Sequence, residues 1–298
     1  MGITIRDILK VLQEAAPLTY AESYDNPGFL VGLKDHPCRR IMLAVDASFE
    51  VIAQAKEANI DMLIVHHPLI FHALKKVSDE DLIGRRVYEL ARAGIALYAL
   101  HTNLDAVPGG NIDLAARRLG LKKIKAVSSG EGPAVLRIGT LEEPLSIEAL
   151  SHLVMERFDL PYVRYVDAAS RMGGAAWRKD ASAETDAPVS EAGTDFSEHA
   201  HQHGVNQIAL CTGSGMDFAE LSIQNKAQCL ITGDIGYHRA DEASLRGLSL
   251  IEASHFGTDR LSLEPLKEML EKEIGQEFLE VPEIFIAKEK ELFNIVSR

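Results

Sequence analysis

The chain has 298 residues, of which 46% are hydrophobic and 25% are charged. These proportions are typical of a globular protein with a substantial core and exclude a disordered or coiled-coil chain. Lysine and arginine number 31 against 44 aspartates and glutamates, a formal net charge of −13, which argues against nucleic acid and anionic membranes as partners because both repel a negative surface.

The cysteines and the first helix predict a cytoplasmic protein. The three cysteines form no CxxC pair, so neither a disulfide framework nor a thiolate zinc site is indicated. The opening residues MGITIRDILKVLQEAAP predict an amphipathic helix rather than a signal peptide. No apolar run is long enough to span a bilayer.

Residues 41–120 predict strands alternating with helices. The apolar runs IMLAVD, MLIVHHP and IALYALH are typical of parallel strands buried on both faces, and helical patterns follow each of them. Polar residues close these strands. Because ligands of open α/β sheets bind beyond the carboxyl ends of the strands, the candidate site residues here are Asp46, His66, His67 and His101, with Asp105 in the next loop.

The last third of the chain repeats this plan. The runs NQIALC, CLITGD and LSLIEASH predict strands, the last two ending at Asp234 and His255. The loop Thr212–Gly215 is either a weak anion-binding loop or a tight turn between strand and helix, and the turn is favoured because the loop lacks a phosphate-binding motif. The sequence therefore predicts an α/β fold of two related, pseudo-duplicated halves. If the halves face each other, their strand ends share one central cleft.

Four segments follow from the pattern: a first half at 1–125, a small connecting α/β unit at 126–167, an insertion at 168–206 and a second half at 207–298. The insertion is rich in alanine, serine, glycine and acidic residues, which predicts a mobile surface segment. A metal-binding tract within it is the less favoured alternative, since its support is compositional; the residues concerned are His199, His201 and His203.

The strand-end residues are candidate metal ligands. A mixed set of imidazoles and carboxylates suits zinc, manganese, iron, cobalt or nickel. The alternative is a set of ordinary polar residues that cap helices and form turns, and the pattern alone leaves both open. Pro68 favours extended geometry at His67, at the point where the strand gives way to a loop. Other candidate site residues lie at or just past predicted strand ends: His101, Asp105, His255 and Asp259, with Asp234 and His238 as further candidates.

Five longer motifs occur in order from about Tyr24 to Asp259: AESYDNPGFLVG, LIVHHPLIF, LYALHTNLDAVPGGNIDLAARRLGL, ALCTGSG and LITGDIGYHRADEASLRGLSLIEASHFGTD. Together they resemble the GTP cyclohydrolase I type 2-like family, also called NIF-three-like or YbgI-like proteins. The resemblance implies a NIF-three-like fold with two divalent metal ions held by His66, His67, Asp105 and His255. Asp259 stands where the family usually has a glutamate ligand, and Ser254 stands where it usually has glycine.

The resemblance further implies a dinuclear metal-dependent hydrolase of a small molecule, with metal-bound hydroxide as nucleophile and His101 or His238 as general acid or base. The family name points to GTP, so a nucleotide is one expected substrate. A homohexamer built as a trimer of dimers is also implied. Two alternatives stay open, a metal-binding or metal-handling protein and an interaction scaffold without significant turnover.

Overall fold

The computed structural model describes residues 2–130, 132–172 and 204–296. It is a mixed α/β protein in which two units each contain one sheet. Unit 1 comprises Met1–Leu114, Ser128–Val135 and Asp259–Arg298, and unit 2 comprises Ala115–Val127 and Leu136–Thr258. The predicted α/β class is confirmed, whereas the four sequence segments stay a prediction.

The sheet of unit 1 has five strands in the order β1-β4-β3-β2-β11. The strands are β1 (Gly28–Val31), β2 (Arg40–Ala44), β3 (Met62–Val65), β4 (Ala96–Ala99) and β11 (Glu283–Ile286). Strands β2, β3, β4 and β11 are parallel, and β1 is antiparallel to β4. The three predicted parallel strands are therefore confirmed, and two strands without a sequence signal flank them.

The helices of unit 1 begin and end at recognisable signals. Ser48 caps α2 by accepting the amide of Val51, and Asp81 caps α3 by accepting the amides of Ile83 and Gly84. Gly94 ends α3 with a φ of 71°. The helices are α1 (Ile5–Ala15), α2 (Phe49–Glu57), α3 (Leu82–Ala93), α4 (Thr102–Ala106), α5 (Asn111–Arg118, which continues into unit 2) and α11 (Leu263–Glu277), with 3-10 turns at Leu18–Tyr20 and Arg260–Ser262.

The core of unit 1 holds the ends of the central strands in place. Strands β3 and β4 are buried along their whole length, as their continuous apolar sequences predict. Apolar side chains of α2 and α3 pack against the sheet in one cluster that includes Met42, Val51, Leu63, Leu90 and Leu97. The loops after β2, β3 and β4 therefore start from fixed positions.

Unit 2 has a six-stranded sheet in the order β5-β6-β8-β9-β10-β7. Its strands are β5 (Lys122–Val127), β6 (Leu136–Leu145), β7 (Arg164–Val166), β8 (Val205–Ser214), β9 (Cys229–Gly233) and β10 (Ser249–Glu252). Strands β8, β9 and β10 are parallel, and the other pairings are antiparallel. The helices are α6 (Ile147–Phe158), α7 (Ala168–Met172), α8 (Ala219–Gln224), α9 (Tyr237–Leu245) and α10 (His255–Asp259, whose last residue belongs to unit 1), with a 3-10 turn at Met216–Phe218.

The two ends of the predicted insertion are regular structure, because α7 begins at Ala168 and β8 begins at Val205. The alternating histidines His199, His201 and His203 lie outside the described residues. Within the ranges that the structure describes, no helix combines the length and the apolar character that crossing a bilayer requires.

Most of the predicted loop Thr212–Gly215 belongs to β8, which runs to Ser214, and only Gly215 lies between the strand and the 3-10 turn at Met216–Phe218. The amide of Gly213 donates to Thr258 Oγ1 at 2.9 Å, and the amide of Gly215 donates to Thr232 Oγ1 at 2.8 Å. A Cβ at Gly215 would lie 2.5 Å from the same Thr232 oxygen. Both glycine amides are thus used within unit 2, which argues against the anion-binding alternative. The predicted turn is wrong for the first three of these residues, which form the irregular end of β8.

Candidate metal site

Unit 1 brings together five of the predicted site residues: His66, His67, His101, Asp105 and Asp259. The histidine pair follows β3 directly, and both histidine amides donate to the carbonyl oxygen of Val45, at 3.1 Å from His66 and 3.0 Å from His67. The end of β2 thus fixes the backbone of the pair.

His66 is buried and its tautomer is set by the backbone. Its side chain is 3% exposed, and Nδ1 lies 2.7 Å from the carbonyl oxygen of Leu100, to which only a protonated Nδ1 can donate. Burial lowers the pKa of His66, against the raising effect of Asp105 and Asp259. The imidazole is therefore neutral, with a lone pair on Nε2.

Two carboxylates face that lone pair. Nε2 of His66 lies 3.7 Å from Asp105 Oδ2 and 3.9 Å from Asp259 Oδ1, which is too long for hydrogen bonds. With metal bonds of about 2.0–2.2 Å, neighbouring ligands of one tetrahedral ion lie roughly 3–4 Å apart. Asn111 fixes the first carboxylate, donating from Nδ2 to Asp105 Oδ1 at 3.1 Å.

His67 lies between two aspartates. Its Nδ1 is 3.0 Å from Asp46 Oδ1 and its Nε2 is 3.1 Å from Asp259 Oδ2. Burial lowers the pKa of His67, but the hydrogen bonds and charges of Asp259 and Asp46 outweigh it and raise the pKa to about 10. Asp259 is 1% exposed, and it directs one oxygen toward each histidine of the pair.

His101 completes a group of three imidazoles. One nitrogen from each of His66, His67 and His101 lies within 4.8 Å of the others. The Nδ1 atom of His101 is 2.8 Å from Asp25 Oδ1. Because a carboxylate accepts, Nδ1 carries the proton and Nε2 is left to act on other groups.

Asp25 is a site residue that sequence reasoning did not single out. Its side chain is fully buried, and its Oδ2 also accepts from Thr102, at 3.2 Å from the amide and 2.5 Å from Oγ1. Burial acts to raise the pKa of Asp25, but hydrogen bonds from His101 and Thr102 prevail and the pKa is lowered. Asp25 belongs to the first family motif. Because it lies 76 residues from His101 in the chain, no local sequence spacing indicates that the two side chains are in contact.

Glu289 is the second residue that the sequence did not reveal. Its carboxylate accepts the amides of Val45 at 2.7 Å and Asp46 at 3.0 Å. Burial raises the pKa of Glu289, while both amide hydrogen bonds act to lower it. Gln54 fixes Lys288, the residue before Glu289. The Gln54 side chain donates a hydrogen bond to the Lys288 carbonyl oxygen and accepts one from the Lys288 amide.

In unit 2, the predicted ligand His255 is the first residue of α10, and its Nδ1 lies 2.5 Å from Asp234 Oδ2. Ser254 has a φ of 59°, a left-handed conformation that favours glycine and that this serine adopts. His238 is exposed on α9 and packs edge-on against Tyr237. The roles predicted for His255 and His238 stay predictions.

The same pattern of residues follows the third parallel strand of each sheet. After β4, His101 precedes α4 and Asp105 lies four residues later; after β10, His255 begins α10 and Asp259 lies four residues later. A histidine and an aspartate one helical turn apart thus recur at equivalent points, in support of the predicted duplication.

Comparison with known proteins agrees with this fold. The family model for Duf34/NIF3 (NGG1p interacting factor 3) matches residues 3–291. A relative named GTP cyclohydrolase 1 type 2 homolog, from Clostridium acetobutylicum, is 27% identical over 275 residues, covering 91% of each chain. A Pyrococcus horikoshii relative of the same name is 30% identical over 237 residues, covering 79% of this chain and 80% of its own.

Solved structures show the same architecture. A hypothetical protein from Staphylococcus aureus superposes with a TM-score of 0.79 at 22% identity, over 99% of this chain and 100% of its own. A Bacillus cereus protein related to NIF3 gives a TM-score of 0.79 at 17% identity, with the same coverage. The expected resemblance is confirmed, and the chain belongs to the Duf34/NIF3 family.

Proposed function

We propose that the protein is a metal-dependent hydrolase of a small molecule and that it binds two divalent ions at the strand ends of unit 1. The observation that carries the proposal is the buried, neutral His66, whose Nε2 faces Asp105 and Asp259 at 3.7 and 3.9 Å. The name GTP cyclohydrolase 1 type 2 homolog, given to curated relatives, supports hydrolysis and makes a nucleotide the first substrate to test.

The donor set fits borderline divalent ions. Imidazole nitrogens and carboxylate oxygens suit zinc, manganese, iron, cobalt or nickel, whereas magnesium and calcium prefer oxygen alone. We assign His66, His67, Asp105 and Asp259 of unit 1 as ligands. The role of His255 as a fifth ligand stays an expectation from the family resemblance. Asp46 accepts from Nδ1 of His67, the arrangement by which a carboxylate orients a histidine ligand.

Asp259 is the carboxylate that would be shared if two ions were bound. Its Oδ1 faces His66 and its Oδ2 faces His67, so each oxygen is directed toward a different imidazole. The aspartate side chain is one methylene shorter than the glutamate usual in the family. The shorter side chain still approaches both histidines, with Oδ1 at 3.9 Å from His66 Nε2 and Oδ2 at 3.1 Å from His67 Nε2.

His101 is the residue we assign to move protons. With Nδ1 hydrogen-bonded to Asp25, its free position is Nε2, next to the His66–His67 pair. The carboxylate of Asp25 fixes the orientation and the tautomer of the His101 ring, which positions Nε2 to exchange a proton with a substrate. When bound, divalent ions lower the pKa of water and polarise the bond to be cut.

Substitution of His101 by asparagine tests this assignment. We expect turnover to fall by a factor of about 10²–10⁴, the usual contribution of a general acid or base, while metal content stays equal to wild type. Activity is measured against nucleotides, cyclic amides and phosphoesters. Unchanged turnover in the fully loaded variant would exclude His101 from the reaction.

The three-imidazole group also favours a second function, that of a metal-binding or metal-handling protein. Here His101 is a ligand rather than a base, since His66, His67 and His101 are close enough to share one ion. The same His101→Asn variant separates the two functions. If the variant loses its metal, His101 is a ligand; if it keeps its metal but loses turnover, His101 acts on the substrate.

A further inference from the structure

Unit 1 contains a cavity of about 530 Å³ that the proposed hydrolase function does not use. Its volume falls within the range of about 300–1,000 Å³ typical of small-molecule sites. Helices α1, α4, α5 and α11 contribute to its walls, together with the loop between α4 and α5.

The wall of the cavity is largely apolar. Four of its side chains are buried at 5–9% exposure and so hold their positions without a ligand. A cavity lined in this way favours the alkyl or aryl part of a ligand, because binding removes apolar surface from water. The apolar side chains that form it are Val11, Leu104, Val107, Leu114, Leu266 and Met269.

All the charged residues that line the cavity are acidic. They are Glu14 on α1 and Glu273 and Glu277 on α11, and lysine, arginine and histidine do not occur among the lining residues that the structure describes. Glu14 and Glu277 are exposed. Glu273 pairs with Lys272 at 2.8 Å, but both side chains are solvent-accessible, so a ligand can replace the lysine.

We propose that this cavity binds an organic amine, with the apolar body inside and the ammonium group against Glu14, Glu273 and Glu277. Charge complementarity selects the ammonium group, since three carboxylates repel phosphates and carboxylic acids. The net charge of −13 acts in the same direction by raising the local concentration of cations.

The cavity also adjoins the proposed metal ligands. Leu104 precedes Asp105 in α4, and Ser262 Oγ donates to the main-chain oxygen of Asp259 at 2.9 Å. Both Leu104 and Ser262 line the cavity. We therefore expect bound amine to alter metal affinity, and bound metal to alter amine affinity by the same factor; this part rests on the proposed function.

Three probes that share one apolar body test the binding site: 4-phenylbutylamine, 4-phenylbutanol and 4-phenylbutyrate, titrated calorimetrically into the full-length protein. We expect the amine to bind roughly tenfold or more tighter than the alcohol, as a charge-assisted hydrogen bond contributes, and the acid not to bind. Equal binding of all three probes, or binding of none, overturns the proposal.

Matched variants locate the binding. The triple variant Glu14→Gln, Glu273→Gln and Glu277→Gln should reduce amine affinity to that of the alcohol. Glu268→Gln changes an exposed glutamate of the same helix outside the cavity and should leave amine affinity unchanged. Met269→Trp should weaken amine and alcohol alike by filling the space. An amine preference that survives the triple variant contradicts the site.

The coupling is tested separately, by measuring zinc affinity against a chromogenic chelator with and without saturating 4-phenylbutylamine. A changed zinc dissociation constant supports coupling, and an unchanged one overturns it. Failure of the protein to bind zinc contradicts the proposed function but leaves the calorimetric test of the amine site intact.

Discussion

Asp25 is the buried charge on which the orientation of His101 depends. Substitution by asparagine keeps the shape of the side chain but removes the charge that accepts from His101 and Thr102. Because hydrogen bonds to a charged group contribute about 1.5–3 kcal/mol each to stability, we expect Asp25→Asn to destabilise the protein by about 2 kcal/mol at pH 7. Urea unfolding measures the loss, with the exposed Asp35→Asn as control.

The pH dependence of that loss is set by the lowered pKa of Asp25. A carboxyl whose pKa is lower in the folded state stabilises the protein above its unfolded pKa of about 3.9. That stability is lost as pH falls through the folded pKa. The difference between wild type and Asp25→Asn should therefore be full at pH 7 and shrink below about pH 4. A difference independent of pH would contradict the ionised Asp25.

At the scale of elements, the carboxyl-terminal segment holds the end of β2. Glu289 accepts the amides of Val45 and Asp46, Val45 accepts both histidine amides, and Asp46 contacts His67. Since residues that orient metal ligands typically contribute about 10–100-fold in affinity, Glu289→Ala should weaken zinc binding by about tenfold. Competition with a chelator measures it.

Two variants complete that experiment. Glu289→Gln retains a side-chain oxygen that can accept one amide, so its zinc affinity should lie between those of wild type and Glu289→Ala. Glu280→Ala changes an exposed glutamate near the same end of the chain and should bind zinc as wild type does. If Glu289→Ala and Glu280→Ala bind equally well, Glu289 does not position the site.

The elements found from the sequence are those with local signals. Strands β2, β3 and β4 lie in continuous apolar runs. The candidate residues follow within two positions of the strand ends, so the pattern indicated where the site lies; they are Asp46, His66, His67 and His101. Strand β11 has only four residues, and its partner β2 lies near the other end of the sequence. The contacts of Asp25 and Glu289 span 76 and 244 residues, and only tertiary structure creates them.

At the scale of the whole molecule, the family resemblance leads us to expect a homohexamer built as a trimer of dimers. Sedimentation velocity at micromolar concentration should then give a mass near six times the 32.7 kDa of the chain. A single species of 32.7 kDa would contradict this expectation without affecting the site in unit 1, whose described ligands come from one chain.

Metal quantification tests the central claim most directly. Full-length protein, stripped with a chelator and reloaded with zinc, should retain about two ions per chain after desalting, as in other two-metal hydrolytic sites. His66→Ala and Asp105→Asn should retain close to none, while His152→Ala, which removes an exposed histidine of α6, should match wild type. Full zinc content in both site variants, with folding verified by circular dichroism, would contradict the metal site.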